Sequence, residues 1–135
     1  MTGTTASARS DQGLLVLRLA IAGLLLVHGV SKAGAGVGWI SDMLASMGLP
    51  GFLAYGAYVG EIVAPLLVLA GLFTRPAALV MAFHMATAIL LARRDAIFSI
   101  NPQSGGFAIE LELLFLLGAV AISLLGPGRY AVRPD

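Results

Sequence analysis

The sequence predicts an all-α integral membrane protein, a four-helix transmembrane bundle with a short interfacial helix between the first and second crossings. Three observations carry that expectation. Of 135 residues, 59% are hydrophobic and 11% charged, against about 25% charged in a soluble domain; mean hydropathy is +0.94. Four apolar stretches, Leu14–Val30, Phe52–Phe73, Pro76–Ala92 and Phe107–Leu125, fall within or near the ~17–25 residues that cross a bilayer core. Little sequence is left over for a soluble domain.

The elements follow in order. Residues 1–10 are small and polar and read as a flexible leader, and residues 11–132 as a single four-helix transmembrane domain with helices at about 14–32, 52–73, 76–92 and 107–125. Ser10 or Asp11 can cap the first helix through its side-chain oxygen. Leu14–Val27 also has the character of a signal-peptide core. Retention as a first crossing is expected, because the chain runs on through Gly29–Gly36 into a segment the other helices need as a packing partner. After the glycine-rich break at Ala33–Gly38, Trp39, Ile40, Met43, Leu44 and Met47 recur at helical spacing. With indole favouring the headgroup level, this predicts a short helix lying in the interface, ended by Gly48-Leu-Pro-Gly51.

The second crossing contains Pro65, which lacks an N–H and so deprives the carbonyl four residues back, that of Glu61, of its helical partner. Gly56, Gly60 and Ala64 form a small-residue face that allows close helix approach, within one bundle or between copies in a homo-oligomer. Thr74-Arg75-Pro76 reads as a very short turn, making the second and third crossings antiparallel neighbours. Arg93-Arg94-Asp95 ends the third crossing, Ala96–Gly106 forms a loop with turn residues at Asn101-Pro102 and Gly105-Gly106, and Gly126-Pro127-Gly128 stops the fourth. Four crossings put both termini on one side. Arg9, Arg18, Arg75, Arg129 and Arg133 lie there, against Lys32, Arg93 and Arg94 opposite, which by the positive-inside rule makes that side the cytoplasm.

In a bilayer, ionisable residues need a reason to be present. At about 1.5 Å per residue, Glu61 lies ~14 Å from the outer end of its helix and His84 ~12 Å from the inner end of its own, both near the midplane. His28 and Lys32 are one turn apart in the outer part of the first helix. His28, Lys32, Glu61 and Glu110, with His84, are expected to converge on one polar cluster. A carboxyl beside a proline break at that depth is either paired with a cation or carries a proton. Blander roles exist for the rest. Arg18 and Lys32 can snorkel to the headgroups, Glu110 can sit at the positive end of its helix, and His84 can be a packing residue. Glu110 and Glu112 are about 200° apart on a helical wheel, so only one can face a given pocket. Arg18, His84 and Glu112 are secondary candidates.

Several function classes are excluded or disfavoured. A net charge of +1 gives no footprint for nucleic acid. With no cysteine in the chain, disulfides, thiol catalysis and cysteine-held clusters or zinc sites are excluded. No metal site is expected, since the paired Glu-x-x-His motifs of a di-iron bundle are absent. A shared bis-histidine haem is disfavoured, because His28 and His84 differ in depth by ~9 Å. Nucleotide-binding and nucleophile-elbow motifs are also absent.

Five motifs in order, Leu26-Val27-His28-Gly29-x-x-Lys32, Met47-Gly-Leu-Pro50 followed by Gly60-Glu61, Gly71-Leu-Phe-Thr-Arg75-Pro76-Ala77, Gly105-Gly106 with Glu110, and Gly126-Pro-Gly-Arg-Tyr130, resemble the DoxX family of small bacterial four-helix membrane proteins, over essentially Leu14 to Val132. The resemblance implies a multi-pass protein of the bacterial cytoplasmic membrane, and it points to His28, Lys32, Glu61 and Glu110 as the residues to carry across. The family takes its name from a membrane subunit associated with thiosulfate:quinone oxidation, and relatives are linked to membrane oxidoreductase assemblies. Two readings therefore stand side by side: an accessory or quinone-interacting subunit of a membrane oxidoreductase, receiving electrons from a partner protein, or a non-enzymatic scaffold, assembly factor or small transporter in which the charges are structural.

Overall fold

A computed structural model describes residues 5–133, with side chains from residue 7 onward. Among them the chain is all-helical: α1 (Thr5–Ala35), α2 (Gly38–Ser46), α3 (Gly51–Ala70), α4 (Thr74–Ala92) and α5 (Glu110–Leu125). The only β-pairing among the described residues is an isolated bridge between Ile100 and Phe107 in the α4–α5 loop. Three helices, over Ser7–Ala35, Gly51–Ala70 and Thr74–Ala92, are long and apolar enough to cross a membrane. The 16 residues of α5 fall just under that length.

Several boundaries differ from the sequence expectation, each for a local reason. Residues 5–10, expected as a leader apart from the bundle, continue α1, because no proline and no glycine interrupts Thr4–Gln12; residues 1–4 lie outside the described residues. Ser10 and Asp11 are therefore not caps, and Asp11 instead accepts a hydrogen bond from the Arg129 backbone N–H at 3.2 Å. The turn between α3 and α4 is Gly71-Leu72-Phe73 rather than Thr74-Arg75-Pro76. Gly71 takes the left-handed conformation (φ 75°) that closes a helix, and Pro76 sits in the first turn of α4, where its missing N–H has no intrahelical partner to lose. The start of α5 is delayed to Glu110 by the Ile100–Phe107 bridge and the turns around it.

The helices pack through stripes spaced three and four residues apart. On α1 the stripe is Arg18, Ala22, Leu25, Gly29 and Lys32, of which the first four are buried. It meets Ala64 and Val68 of α3, Ala77, Ala78, Met81 and Met85 of α4, and Phe115, Ala119 and Ile122 of α5 in one core. Much of that core is alanine, so helix axes approach closely, as expected where lipid rather than water is the alternative neighbour. Leu24, Val27, Leu66, Leu117 and Leu124 are exposed on the outer faces. A band of exposed large apolar residues on apolar helices marks a lipid-facing surface, and the chain is a multi-pass membrane protein. A smaller cluster, Val37, Leu44 and Ala54 with Ile40, Tyr58 and Leu91 against it, seats α2 over the ends of α3 and α4.

Candidate functional site

The site begins with an irregular stretch of α3. After a 3-10 segment (Gly51–Tyr55) and one α turn, Val59–Val63 winds as a π-helix, the Ala64 N–H reaching back to the Val59 carbonyl, before regular α geometry resumes at Ala64. Pro65 is the local cause, since it cannot supply the N–H an α-helix would direct at Glu61. Single π turns widen a helix and expose its backbone, and they recur at functional sites. Within a membrane such backbone is tolerated where it is covered by protein or lines a cavity, and both conditions hold here.

Glu61, in the π turn, is 3% exposed. Lys32 Nζ of α1 lies 2.8 Å from its Oε1, and His84 Nε2 of α4 lies 2.7 Å from its Oε2. One carboxylate thus ties three helices, each oxygen taken by a different helix. Two glycines make this approach possible. A Cβ on Gly29 would overlap the Glu61 backbone carbonyl, and one on Gly60 would overlap the His84 imidazole. Gly29 lies on the α1 stripe one turn before Lys32, so the register that sets α1 against the π turn also delivers the ammonium to the carboxylate. Gly60 and Ala64 of the small-residue face are both used inside the fold, whereas Gly56 is exposed.

Beside this group is a cleft of about 820 Å³. Its walls are mainly apolar: Leu25, Ile40, Met43, Leu53, Phe83, Leu91, Leu111 and Phe115, with Trp39 of α2. Its polar groups are His28, Lys32, Glu61, His84, Thr87, Arg93 and Glu112. His28 hydrogen-bonds the Leu24 carbonyl at 3.0 Å and stands edge-on to Phe115, ring centroids 5.5 Å apart. It therefore shares the cleft with Glu61 without bonding to it. Arg93 was not singled out from the sequence. Its Nη2 donates to the Ala108 carbonyl at 2.6 Å, and its Nε lies 3.1 Å from Glu112 Oε2 in an ion pair off hydrogen-bond alignment. A cation closing α4 ahead of an acidic first turn on α5 was the available signal.

The expected cluster is thus corrected at one member. Glu110 is exposed, its carboxylate folded over Gly106, and does not line the cleft. Glu112 takes that place because it lies in register with Phe115, Ala119 and Ile122, the buried face of α5. Neither residue is paired with Glu61.

Arg18 departs further from expectation. It does not snorkel to a headgroup region but is 1% exposed. Its guanidinium donates to the carbonyls of Val68 (3.0 Å), Leu69 (2.9 Å) and Pro127 (3.1 Å), and to that of Tyr130. Two of these acceptors close α3, where the helix dipole favours a cation; the others belong to the segment after α5. That segment is also pinned by the Val132 and Arg133 N–H groups, which donate to Ala70 and Gly71. Arg18 is a structural clasp at the opposite end of the α1 stripe from Lys32.

Among the described residues, no three His, Asp or Glu side chains group as metal ligands. The sequence matches the family model DoxX over residues 13–94, a span that holds His28, Lys32, Glu61 and His84. A Bacillus subtilis (strain 168) protein named "Putative oxidoreductase CatD" is 32% identical over 122 residues, which cover 90% of this chain and 85% of that protein. No solved structure matches the chain.

Proposed function

The chain belongs to the DoxX family, and from that premise we propose that it is an accessory, quinone-binding subunit of a membrane oxidoreductase system. The observation that carries the proposal is the cleft, an apolar volume of about 820 Å³ with the Lys32–Glu61–His84 group and His28 on its wall. A quinone asks for that combination: apolar walls for its tail and hydrogen-bonding, protonatable groups for its head. Electrons would come from a partner protein. The relative's name, which speaks of an oxidoreductase, supports the association and says nothing of the ligand.

The proposal extends to the setting. In this reading α5 is a fourth crossing, its start set back to Glu110 by the Ile100–Phe107 bridge and the turns around it. The α2 helix lies in the interface with Trp39 at headgroup level, both termini face the cytoplasm of a bacterium, and residues 11–132 form the transmembrane domain. A second reading is favoured by one observation: both oxygens of Glu61 are satisfied by the protein itself. The Lys32–Glu61 pair could then serve only to fix helix register in a scaffold or transporter.

The test is extraction of the protein purified in mild detergent, with analysis of the extract for quinones, alongside Glu61→Gln. Quinone retained near stoichiometry by the parent and lost from a folded Glu61→Gln variant supports the redox-subunit reading. A parent that retains no quinone and binds none on addition, with Glu61→Gln failing to assemble, leaves the scaffold or transporter.

A further inference from the structure

Both histidines of the cleft have one ring nitrogen committed, and the commitments decide what the other nitrogen can do. His28 Nδ1 lies 3.0 Å from the Leu24 carbonyl. A carbonyl only accepts, so Nδ1 carries the proton, and in the neutral ring Nε2 is left as an acceptor. His84 Nε2 lies 2.7 Å from Glu61 Oε2. The charge of that carboxylate is already balanced by Lys32 at 2.8 Å. With Arg93 matched by Glu112 at 3.1 Å, a protonated His84 would add a cation with no counter-ion of its own in the cleft. His84 is therefore the neutral donor through Nε2, which leaves Nδ1 as an acceptor. Neither leftover nitrogen has a partner within the described residues, and both rings line the cleft.

We propose that the cleft selects the reduced, hydroxyl-bearing form of its ligand, a hydroquinone, over the quinone. The proposal rests on the quinone reading of the cleft and deepens it. A hydroxyl donates to an imidazole nitrogen and can still accept from the remaining N–H groups of Lys32. A quinone carbonyl can use Lys32 alone and leaves both imidazole acceptors covered by ligand and unpaired, which is the costly arrangement. The selection concerns binding and involves no electron transfer within this chain. Its consequence is that a quinone held here becomes easier to reduce than the same quinone free in the lipid.

The experiment uses the full chain in detergent, under anaerobic conditions, with protein-free micelles as baseline. The probes are a decyl-tailed benzoquinone, its hydroquinone, and the dimethyl ether of that hydroquinone, which keeps the shape and removes both donors. The expected result is a Kd for the hydroquinone about tenfold or more below the other two, with the ratio reduced in His28→Phe, which keeps the aromatic edge on Phe115 but not the acceptor. Equal or tighter binding of the quinone or the ether overturns the inference and leaves the quinone site standing. Binding of none of the three overturns both. An independent readout is the ¹⁵N spectrum of labelled histidine, where one neutral Nδ1–H ring and one neutral Nε2–H ring are expected. A doubly protonated His84, or the opposite tautomer at either ring, overturns the inference whatever the affinities.

Discussion

Glu61 is held by two partners from two helices, and its neighbours have no room to spare. Because Gly60 abuts the His84 imidazole, Gly60→Ala forces the ring to move. The expected outcome is loss of the His84–Glu61 hydrogen bond and about 1–3 kcal/mol of stability, as for other overpacked sites, read from the His84 side-chain ¹⁵N signals and from thermal unfolding in detergent. The Lys32–Glu61 pair makes a second prediction. Lys32→Met alone leaves the buried Glu61 carboxylate without its ammonium partner. Because Lys32 itself is only partly buried, the expected loss is up to about 3 kcal/mol, the lower end for a broken buried pair. Lys32→Met combined with Glu61→Gln removes both charges and should recover much of that loss. A double variant no more stable than the single one would show that the pair does not behave as a compensated buried pair.

At the scale of elements, two devices shape the helices. The π turn at Val59–Val63 turns Glu61 toward both α1 and α4, and Pro65 is its local cause. Arg18 joins the end of α3 to the segment after α5 through four carbonyls. Lysine has the charge but not the planar five-donor fork, so Arg18→Lys cannot reproduce the clasp. Each buried acceptor left unpaired costs about 1–3 kcal/mol. The expected outcome is release of residues 126–133, seen as tryptic cleavage at Arg129 much faster than in the parent, with the core helices still protected. Unchanged cleavage would mean that the Val132 and Arg133 backbone bonds to Ala70 and Gly71 suffice to hold the segment.

For the whole molecule, the number of bilayer crossings sets the depth at which the cleft lies. The absence of cysteine makes single-cysteine reporters clean. Ser99→Cys, in the α4–α5 loop, and Val132→Cys, after α5, are both exposed positions. In the four-crossing reading an impermeant maleimide added to intact cells labels Ser99→Cys and not Val132→Cys, and the pattern inverts in inside-out vesicles. Labelling of both from one side would mean that α5 does not cross, and the cleft would then lie nearer one face of the membrane than its midplane.

The sequence by itself determined the helical class, the membrane as solvent, the family, and Glu61 beside a proline break as the residue that most needed explanation. Those properties depend on composition, segment length and local backbone chemistry, all of which are visible along the chain. It also held Gly29, Lys32 and Arg18 on one stripe of α1, at spacings of three and four. That stripe was hard to read because both faces of the helix are apolar: in lipid the buried face is marked by small residues rather than by greasy ones. The tertiary structure alone decided which charges meet. It seated Lys32 and His84 on the two oxygens of Glu61, left His28 on its own backbone, chose Glu112 over Glu110 for the cleft, paired Glu112 with Arg93, and drew Arg18 inward to carbonyls from segments fifty and more residues away. Partner choice depends on the rotation of each helix about its axis, and that rotation is set by how alanine and glycine faces nest across the bundle, a property of the helices together and of none of them singly.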